Sequence, residues 1–231
     1  MLLYYITNRK GFAGSEAQQR AVLLRKVAEA ARAQVDYIQL REKDLSSRDL
    51  ESLARDAVRA VRENSAATKL LLNGRPDIAW ACDADGVHLP AGELPASEIR
   101  ALWKRYNDRD PLVGVSAHSI AEVNHAEANG ANFAVLAPIF EKLGTEITGI
   151  GLHVLRLACA RSQASEYGDA LHPHRFDVLA LGGVNLSNAR ACLQAGAAGV
   201  AGIRLFQEGD IFDTVRSLRG LADARHQGNP D

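Results

Sequence analysis

Short apolar runs alternate with longer amphipathic segments along most of the chain. The apolar runs are rich in Leu, Val, Ile and Ala, and they predict strands at 2–7, 36–40, 69–73, 86–89, 112–116, 133–137, 177–181 and 199–203. Most of the runs are continuous and show no strict apolar–polar alternation. Continuous runs are typical of parallel strands that are covered on both faces.

The segments between the runs have the three-to-four residue spacing of helices with one buried face. The clearest lie at 16–33, 47–63, 119–129 and 186–195. In the first of them, four residues recur on one face: Val22, Leu23, Val27 and Ala30. Parallel strands need crossover connections, and these helices provide them.

The 231 residues therefore predict eight strand–helix units in one domain, the pattern of a (β/α)8 TIM barrel near its lower size limit. An open doubly wound sheet is the alternative, but no GxGxxG motif follows the first strand. The longest irregular segment, 162–175, is expected to be an inserted loop. The tail at 226–231 is expected to be disordered.

Composition removes several classes of function. Hydrophobic residues make up 47% of the chain and the net charge is −1, so nothing predicts a nucleic-acid or membrane partner. No apolar run approaches the roughly 20 residues of a membrane span. The chain opens on a strand instead of a signal peptide, and its three cysteines lack metal-binding spacing, so we expect a cytoplasmic protein. Assembly into a homo-oligomer stays open.

Polar residues gather at the predicted carboxyl ends of the strands, where barrel enzymes place their active sites. After the second strand, Gln39, Arg41 and Lys43 alternate and would share one side if the extended backbone continued. Arg and Lys donors there suit a phosphate or carboxylate. The alternative is a solvated loop, with Ser46 or Ser47 as the cap of the next helix.

The ends of the last two strands have the features of a phosphate site. Gly182 and Gly183 follow the seventh strand, and Gly202 and Arg204 end the eighth. Barrels often bind phosphate here with backbone N–H groups. The alternatives are a tight turn for the glycine pair and a surface ion pair for Arg204.

A histidine follows the fifth strand. His118 lies near Ser116 and Ser119, and a histidine at this position can transfer protons near neutral pH. One of the two serines is expected to fix its tautomer. The alternative is a loop histidine bonded to its own backbone, whereas His88 is expected to pack inside the barrel wall.

These strand ends together resemble the thiamine phosphate synthase / TenI family over about residues 2–206. The matching segments are QLREKD (39–44), LLLNGRPDIAWACDADGVHLP (70–90), GVSAHSIAEV (114–123), APIFEK (137–142), LALGGVN (179–185) and AGAAGVAGI (195–203). The resemblance implies that a phosphorylated thiazole binds at the barrel opening. Its phosphate would contact Gly182, Gly183, Gly202 and Ile203, and Asn73 and Lys142 would also line the site.

Within this family the resemblance implies one of two chemistries, or a binding role alone. We expect a tautomerase first, with His118 moving a proton on the thiazole phosphate carboxylate and no cofactor required. The alternative is thiamine phosphate synthase, which joins a pyrimidine pyrophosphate to thiazole phosphate and needs Mg²⁺. A non-catalytic regulator that binds thiazole or thiamine phosphate is the third.

Departures from the synthase pattern place the tautomerase first. Gly74 stands where the synthase has an aspartate that binds magnesium. Glu93 is the residue left to bind the metal in a synthase. The loop after the sixth strand lacks the Thr-x-Thr-Lys segment and has Lys142 as its cation.

Overall fold

A computed structural model describes residues 1–105, 107, 109–141, 148–164 and 176–223, without the side chains of 161–164, 222 and 223. The segment 142–147 contains Lys142, so that predicted contact lies outside the described residues. So do residues 165–175 of the predicted loop and the whole predicted tail at 226–231.

Eight parallel strands close into a barrel in chain order, and the last strand pairs with the first. The strands are β1 Leu2–Ile6, β2 Tyr37–Leu40, β3 Lys69–Asn73, β4 Gly86–Leu89, β5 Leu112–Ala117, β6 Phe133–Leu136, β7 Asp177–Ala180 and β8 Gly199–Gly202. The predicted (β/α)8 barrel is confirmed.

Helices follow the strands on the outside of the barrel. They are α1 Glu16–Arg32, α2 Ser47–Arg62, α3 Pro76–Ala81, α4 Ala96–Trp103, α5 Ile120–Ala128, α6 Gly151–Ala164, α7 Ala189–Gln194, α8 Arg204–Gln207 and α9 Ile211–Asp223. Because α6 continues to Ala164, the irregular segment predicted from residue 162 begins later than expected. No helix in the described ranges is long and apolar enough to cross a membrane.

Local capping explains where the first two long helices begin. Ser15 and Gln18 form a reciprocal capping box at α1. At α2 the Ser46 hydroxyl accepts a hydrogen bond from the backbone N–H of Asp49 at 3.2 Å, which confirms one of the two predicted caps. These caps satisfy backbone donors that have no partner inside a helix.

The barrel wall separates two apolar regions. One lies between the strands and the helices. The other fills the barrel interior and is formed by Tyr4, Ile6, Leu71, Phe133, Val135, Leu179 and Ala201. Tyr37 stacks on Phe133 with ring centroids 5.2 Å apart, and Tyr4 meets the same ring edge-on at 5.4 Å. This aromatic packing closes the interior below the carboxyl ends of the strands, which we call the mouth.

Candidate active site at the barrel mouth

The side chains after β2 fall into two groups. Those without a protein ion-pair partner lie on what we call the ligand side, and those bound to other protein groups lie on the protein side. Gln39 is buried, and its Nε2 atom has no hydrogen-bond partner among the described residues. Arg41 is half-buried and Lys43 is exposed, and neither makes an ion pair within the described ranges. The strand itself ends at Leu40, so regular alternation does not extend to Lys43. Two unpaired cations and a buried amide therefore lie at this end of the barrel.

A cluster that the sequence analysis missed occupies the protein side. Arg9 is 2% exposed and donates to three carboxylates: Glu16 at 2.7 Å, Glu42 at 3.0 Å and Asp44 at 2.6 Å. We call these four residues the Arg9 cluster. Hydrogen bonds from Arg9 hold the pKa of Asp44 well below its usual range. The charge of Arg9 is thus satisfied within the protein.

Thr7 connects this cluster to the ligand side. Its hydroxyl donates to Glu42 Oε1 at 2.7 Å and accepts the backbone N–H of Arg41 at 3.0 Å. Glu42 also accepts the backbone N–H of Arg9 at 3.1 Å. The end of β1 therefore fixes the backbone from which Arg41 extends. Arg9 follows the first strand as Arg41 follows the second. This position at the carboxyl end of a strand was the sequence signal that could have predicted Arg9 as part of the mouth.

Inside the mouth, a buried histidine joins two hydroxyl groups. His88 is 3% exposed, as its predicted place in the barrel wall requires. Its Nδ1 lies 3.1 Å from the Tyr4 hydroxyl and its Nε2 lies 2.9 Å from Ser116 Oγ. A side chain at Gly114 would meet both the His88 ring and the Phe133 ring, so this glycine makes room for the arrangement. We call Tyr4, His88 and Ser116 the triad.

His118 lies at the rim and has different partners from those expected. Its Nδ1 is 2.9 Å from the carbonyl oxygen of Ala137. A carbonyl only accepts hydrogen bonds, so Nδ1 carries the proton and Nε2 is left as a base. The expectation that Ser116 or Ser119 fixes the tautomer is wrong, because Ser116 binds His88 and Ser119 caps α5. The carbonyl partner also belongs to another strand end, not to the histidine's own backbone.

The glycine pair after β7 lies against the segment after β6. Gly182 and Gly183 have φ angles of +92° and +65°, which favour glycine. A Cβ on Gly182 would lie 2.6 Å from Pro138 Cα, and Gly182 accepts the N–H of Phe140 at 3.0 Å. A close backbone approach therefore accounts for the glycines. Phosphate binding at the same backbone stays a prediction.

The end of β8 completes this side of the mouth. Gly202 is the last residue of β8, and the partly buried Ile203 packs against the barrel interior. Arg204 begins α8 and is exposed. It makes no ion pair within the described ranges, so the surface ion pair considered from the sequence is not observed there.

The residues after β3 and β4 include those for which the sequence raised magnesium binding. Asn73 is half-buried beside His88 in the strand register, and Gly74 has no side chain to bind a metal. Asp77 is paired with Arg75 at 2.6 Å, and Glu93 is exposed. Within the described ranges, no group of three His, Cys, Asp or Glu residues is placed to hold a metal ion. Magnesium binding by Glu93 stays a prediction without support from this geometry.

Comparison with known proteins identifies the family of the chain. The sequence profile of the family described as "Thiamine monophosphate synthase" matches residues 3–206. The "Putative thiamine-phosphate synthase 2" of Aquifex aeolicus is 38% identical over 207 residues, which are 89% of this chain and 97% of the relative. The "Thiamine-phosphate synthase" of Methanoculleus marisnigri is 36% identical over 201 residues, 86% of this chain and 88% of the relative.

Solved structures with the same barrel include one whose name matches this family. The thiamine phosphate pyrophosphorylase from Pyrococcus furiosus superposes with a TM-score of 0.74 at 26% identity, covering 96% of each chain. A 3-hexulose-6-phosphate synthase shares the barrel at a TM-score of 0.61 and 16% identity, which is evidence of a common fold alone. The family profile spans most of the sequence, and both named relatives align over nearly their whole length. The chain therefore belongs to the thiamine monophosphate synthase family.

Proposed function

We propose that the chain is a thiamine-phosphate synthase that joins a pyrimidine pyrophosphate to a thiazole phosphate. The observation that carries the proposal is the whole-chain similarity to proteins of that name, at 36–38% identity for the two relatives above. These names favour the synthase over the tautomerase, which the sequence analysis placed first. The order of the two functions is therefore reversed.

The mouth offers suitable groups for this reaction. The carbon–oxygen bond to pyrophosphate breaks, its electron pair leaves with pyrophosphate, and the thiazole nitrogen forms a bond to the same carbon. Arg41 and Lys43 have no carboxylate partner among the described residues, so both cations are available to the departing pyrophosphate. The backbone after β7 and β8 would hold the thiazole phosphate on the other side.

Magnesium enters this proposal only with the substrate. Synthases of this family need the metal, and the described ranges hold no group of three His, Cys, Asp or Glu residues that could bind it alone. No step here depends on a metal held by the protein. Calorimetric titration of the free protein with Mg²⁺ should give no micromolar binding. A micromolar isotherm that disappears in Glu93→Ala would contradict this expectation.

The tautomerase remains a second candidate because of one observation. The Nδ1–H of His118 donates to Ala137, so the bare Nε2 can accept a proton and return it. The ring is exposed at the rim, where a thiazole bound in the mouth would be accessible. Gly74, in place of the synthase aspartate, is consistent with this chemistry.

Product analysis separates the two functions. The purified protein is incubated with thiazole phosphate, pyrimidine pyrophosphate and Mg²⁺, and in parallel with the non-aromatic thiazole tautomer alone. A synthase forms thiamine phosphate and pyrophosphate in the first mixture. Aromatisation in the second mixture without thiamine phosphate in the first would select the tautomerase. If neither product forms but thiazole phosphate binds in calorimetry, the chain is a binding protein.

The His118→Asn variant tests the role of the histidine in either case. General acid–base catalysis contributes roughly 10²–10⁴-fold. A tautomerase should lose kcat by about that factor, whereas a synthase should keep its activity within a few-fold.

The cytoplasmic location and a homo-oligomeric state stay predictions.

A further inference from the structure

The triad extends from the apolar barrel interior to the mouth. Tyr4 is fully buried, His88 is almost fully buried, and Ser116 is half-buried. Both ring nitrogens of His88 are used, one by each hydroxyl. Of the three, Ser116 is the most exposed, so its hydroxyl is the one placed to meet a ligand. None of these contacts is needed for strand pairing, which the backbone satisfies.

His88 is uncharged in this environment. Burial, with a smaller contribution from the positive charge of Arg41, lowers the pKa of His88 to about 3. A neutral imidazole has one N–H and one bare nitrogen, so each hydroxyl faces a different partner. The triad therefore has two arrangements, which differ in the direction of both hydrogen bonds.

The surroundings of Tyr4 favour one of them. Burial raises the pKa of Tyr4, and Gln39 partly opposes that effect. The buried Nε2 of Gln39 has no hydrogen-bond partner with good geometry among the described residues. The described hydrogen bond of the Tyr4 hydroxyl is the one to His88 Nδ1, at 3.1 Å, so the O–H proton is directed to that nitrogen.

The opposite arrangement is less favourable. If Nδ1–H donated to Tyr4, the phenol proton would need another acceptor, and its described hydrogen bond is to His88 alone. A buried O–H without an acceptor is costly. The favoured direction is therefore Tyr4 to His88 Nδ1, then His88 Nε2–H to Ser116 Oγ. The hydroxyl proton of Ser116 is left for a ligand.

We propose that Tyr4 and His88 are positioning residues that fix the Ser116 hydroxyl as a hydrogen-bond donor to an acceptor atom of the bound substrate. The fit is best for an uncharged acceptor such as a heteroaromatic ring nitrogen, because Arg41 and Lys43 are placed for the phosphates. The role in turnover rests on the proposed function, whereas the direction of the hydrogen bonds does not.

The tautomer of His88 tests the direction in the free protein. Nitrogen-15 NMR of the full chain, with the signal assigned by its loss in His88→Gln, should show a protonated Nε2 and a bare Nδ1. A merely structural histidine carries no such requirement. A protonated Nδ1 would overturn the proposal, and this result is independent of whether the protein turns over any substrate.

Variants then test whether the triad acts on the substrate. Ser116→Ala and Tyr4→Phe should each lower kcat/KM for thiamine phosphate formation by about 3- to 10-fold, the effect of one neutral hydrogen bond. Because both remove the same interaction, the double variant should lose no more than either alone. Additive losses would overturn the proposal.

Tyr5→Phe is the matched control. Tyr5 is the next residue on the same strand and equally buried, but its hydroxyl donates to Gln207 at 3.1 Å, away from His88. Its effect on kcat/KM should be negligible, and the His88 signal should be unchanged. If wild type forms no thiamine phosphate, the same variants are compared by calorimetric binding of thiazole phosphate. Equal affinities for wild type, Ser116→Ala and Tyr4→Phe would then contradict the substrate contact.

Discussion

The two sides of the mouth are built by opposite means. On the β1–β2 side, the buried Arg9 binds three carboxylates. Thr7 connects one of them, Glu42, to the backbone N–H of Arg41 through its hydroxyl. On the β7–β8 side, Gly182 lets two backbones approach so closely that any side chain would collide with Pro138. Ion pairs therefore fix the β1–β2 side, whereas close backbone packing, which a glycine permits, fixes the β7–β8 side.

This difference separates residues that build the site from residues that meet the ligand. Arg9 and Arg41 are both arginines at a strand end, yet the first is saturated by carboxylates and the second has none among the described residues. A count of cations at the mouth would treat them as equal. Their partners show that Arg41 is the one available to a phosphate.

The largest effect is expected from Glu42→Ala. The variant removes the acceptor for Thr7, for the Arg9 backbone and for the Arg9 guanidinium in a buried place. We expect the free energy of unfolding in urea to fall by about 3 kcal/mol. The control Glu51→Ala removes an exposed helix ion pair and should cost under about 0.5 kcal/mol. Equal losses would show that the Arg9 cluster contributes little stability.

Gly182→Ala should have the next largest effect, on the opposite side. The alanine adds left-handed strain and a collision with Pro138, so we expect a loss of roughly 2 kcal/mol. Gly209 also has a positive φ, of +71°, but nothing lies within 4 Å of its added Cβ. Gly209→Ala measures the strain alone. If both variants melt alike, the close approach to Pro138 is not the cause.

Arg41→Gln should change binding and leave stability nearly untouched. Its guanidinium has no carboxylate partner among the described residues, so the free energy of unfolding should stay within about 0.5 kcal/mol. Affinity for the pyrimidine pyrophosphate should fall about 10-fold, equivalent to ~1.4 kcal/mol, and the loss should shrink at high salt. Arg55→Gln, on the exposed face of α2, is the charge-matched control. A variant that is less stable but keeps its affinity would show that Arg41, like Arg9, supports the fold instead of binding the substrate.

The smallest effect concerns pH. Arg9 lowers the pKa of Asp44 in the folded state, so this carboxylate stabilises the fold above its unfolded pKa of about 4 and the contribution is lost as pH falls below that. Asp44→Asn should flatten the acid side of the stability curve. Its side chain is 38% exposed, so the loss at pH 7 should stay under about 1 kcal/mol. An unchanged acid profile would contradict this assignment.

The strands were predictable because each is a short apolar run between polar segments. The predicted limits of β3 and β4 are those of the structure, and those of β2 differ by one residue. The helix predicted at 186–195 is shorter in the structure, where α7 begins at Ala189. Asn185 and Ser187 form a local turn there, and side-chain bonds of this kind compete with helix formation.

The candidate site was predictable only at positions that can be inferred from a single strand end. Arg41 and Lys43 follow from their position after β2. The pairing of His88 with Ser116 depends on how β4 and β5 align, which places His88 opposite Gly114. Sequence does not give that register, so the histidine was expected to pack and the serine was given to His118. Arg9 was missed because two of its carboxylate partners, Glu42 and Asp44, lie 33 and 35 residues away in sequence, and only the folded barrel brings them together.

The aromatic interior has an optical consequence. Burial raises the pKa of Tyr4, which lies in the barrel interior, while Trp80 and Trp103 lie in α3 and α4, outside the barrel. In an alkaline titration the Tyr4 phenol should ionise only when the barrel opens, so a late rise in tyrosinate absorbance that is lost in Tyr4→Phe reports that opening. Tryptophan fluorescence, by contrast, reports the surrounding helices. One protein without added labels therefore gives separate signals for its wall and its interior.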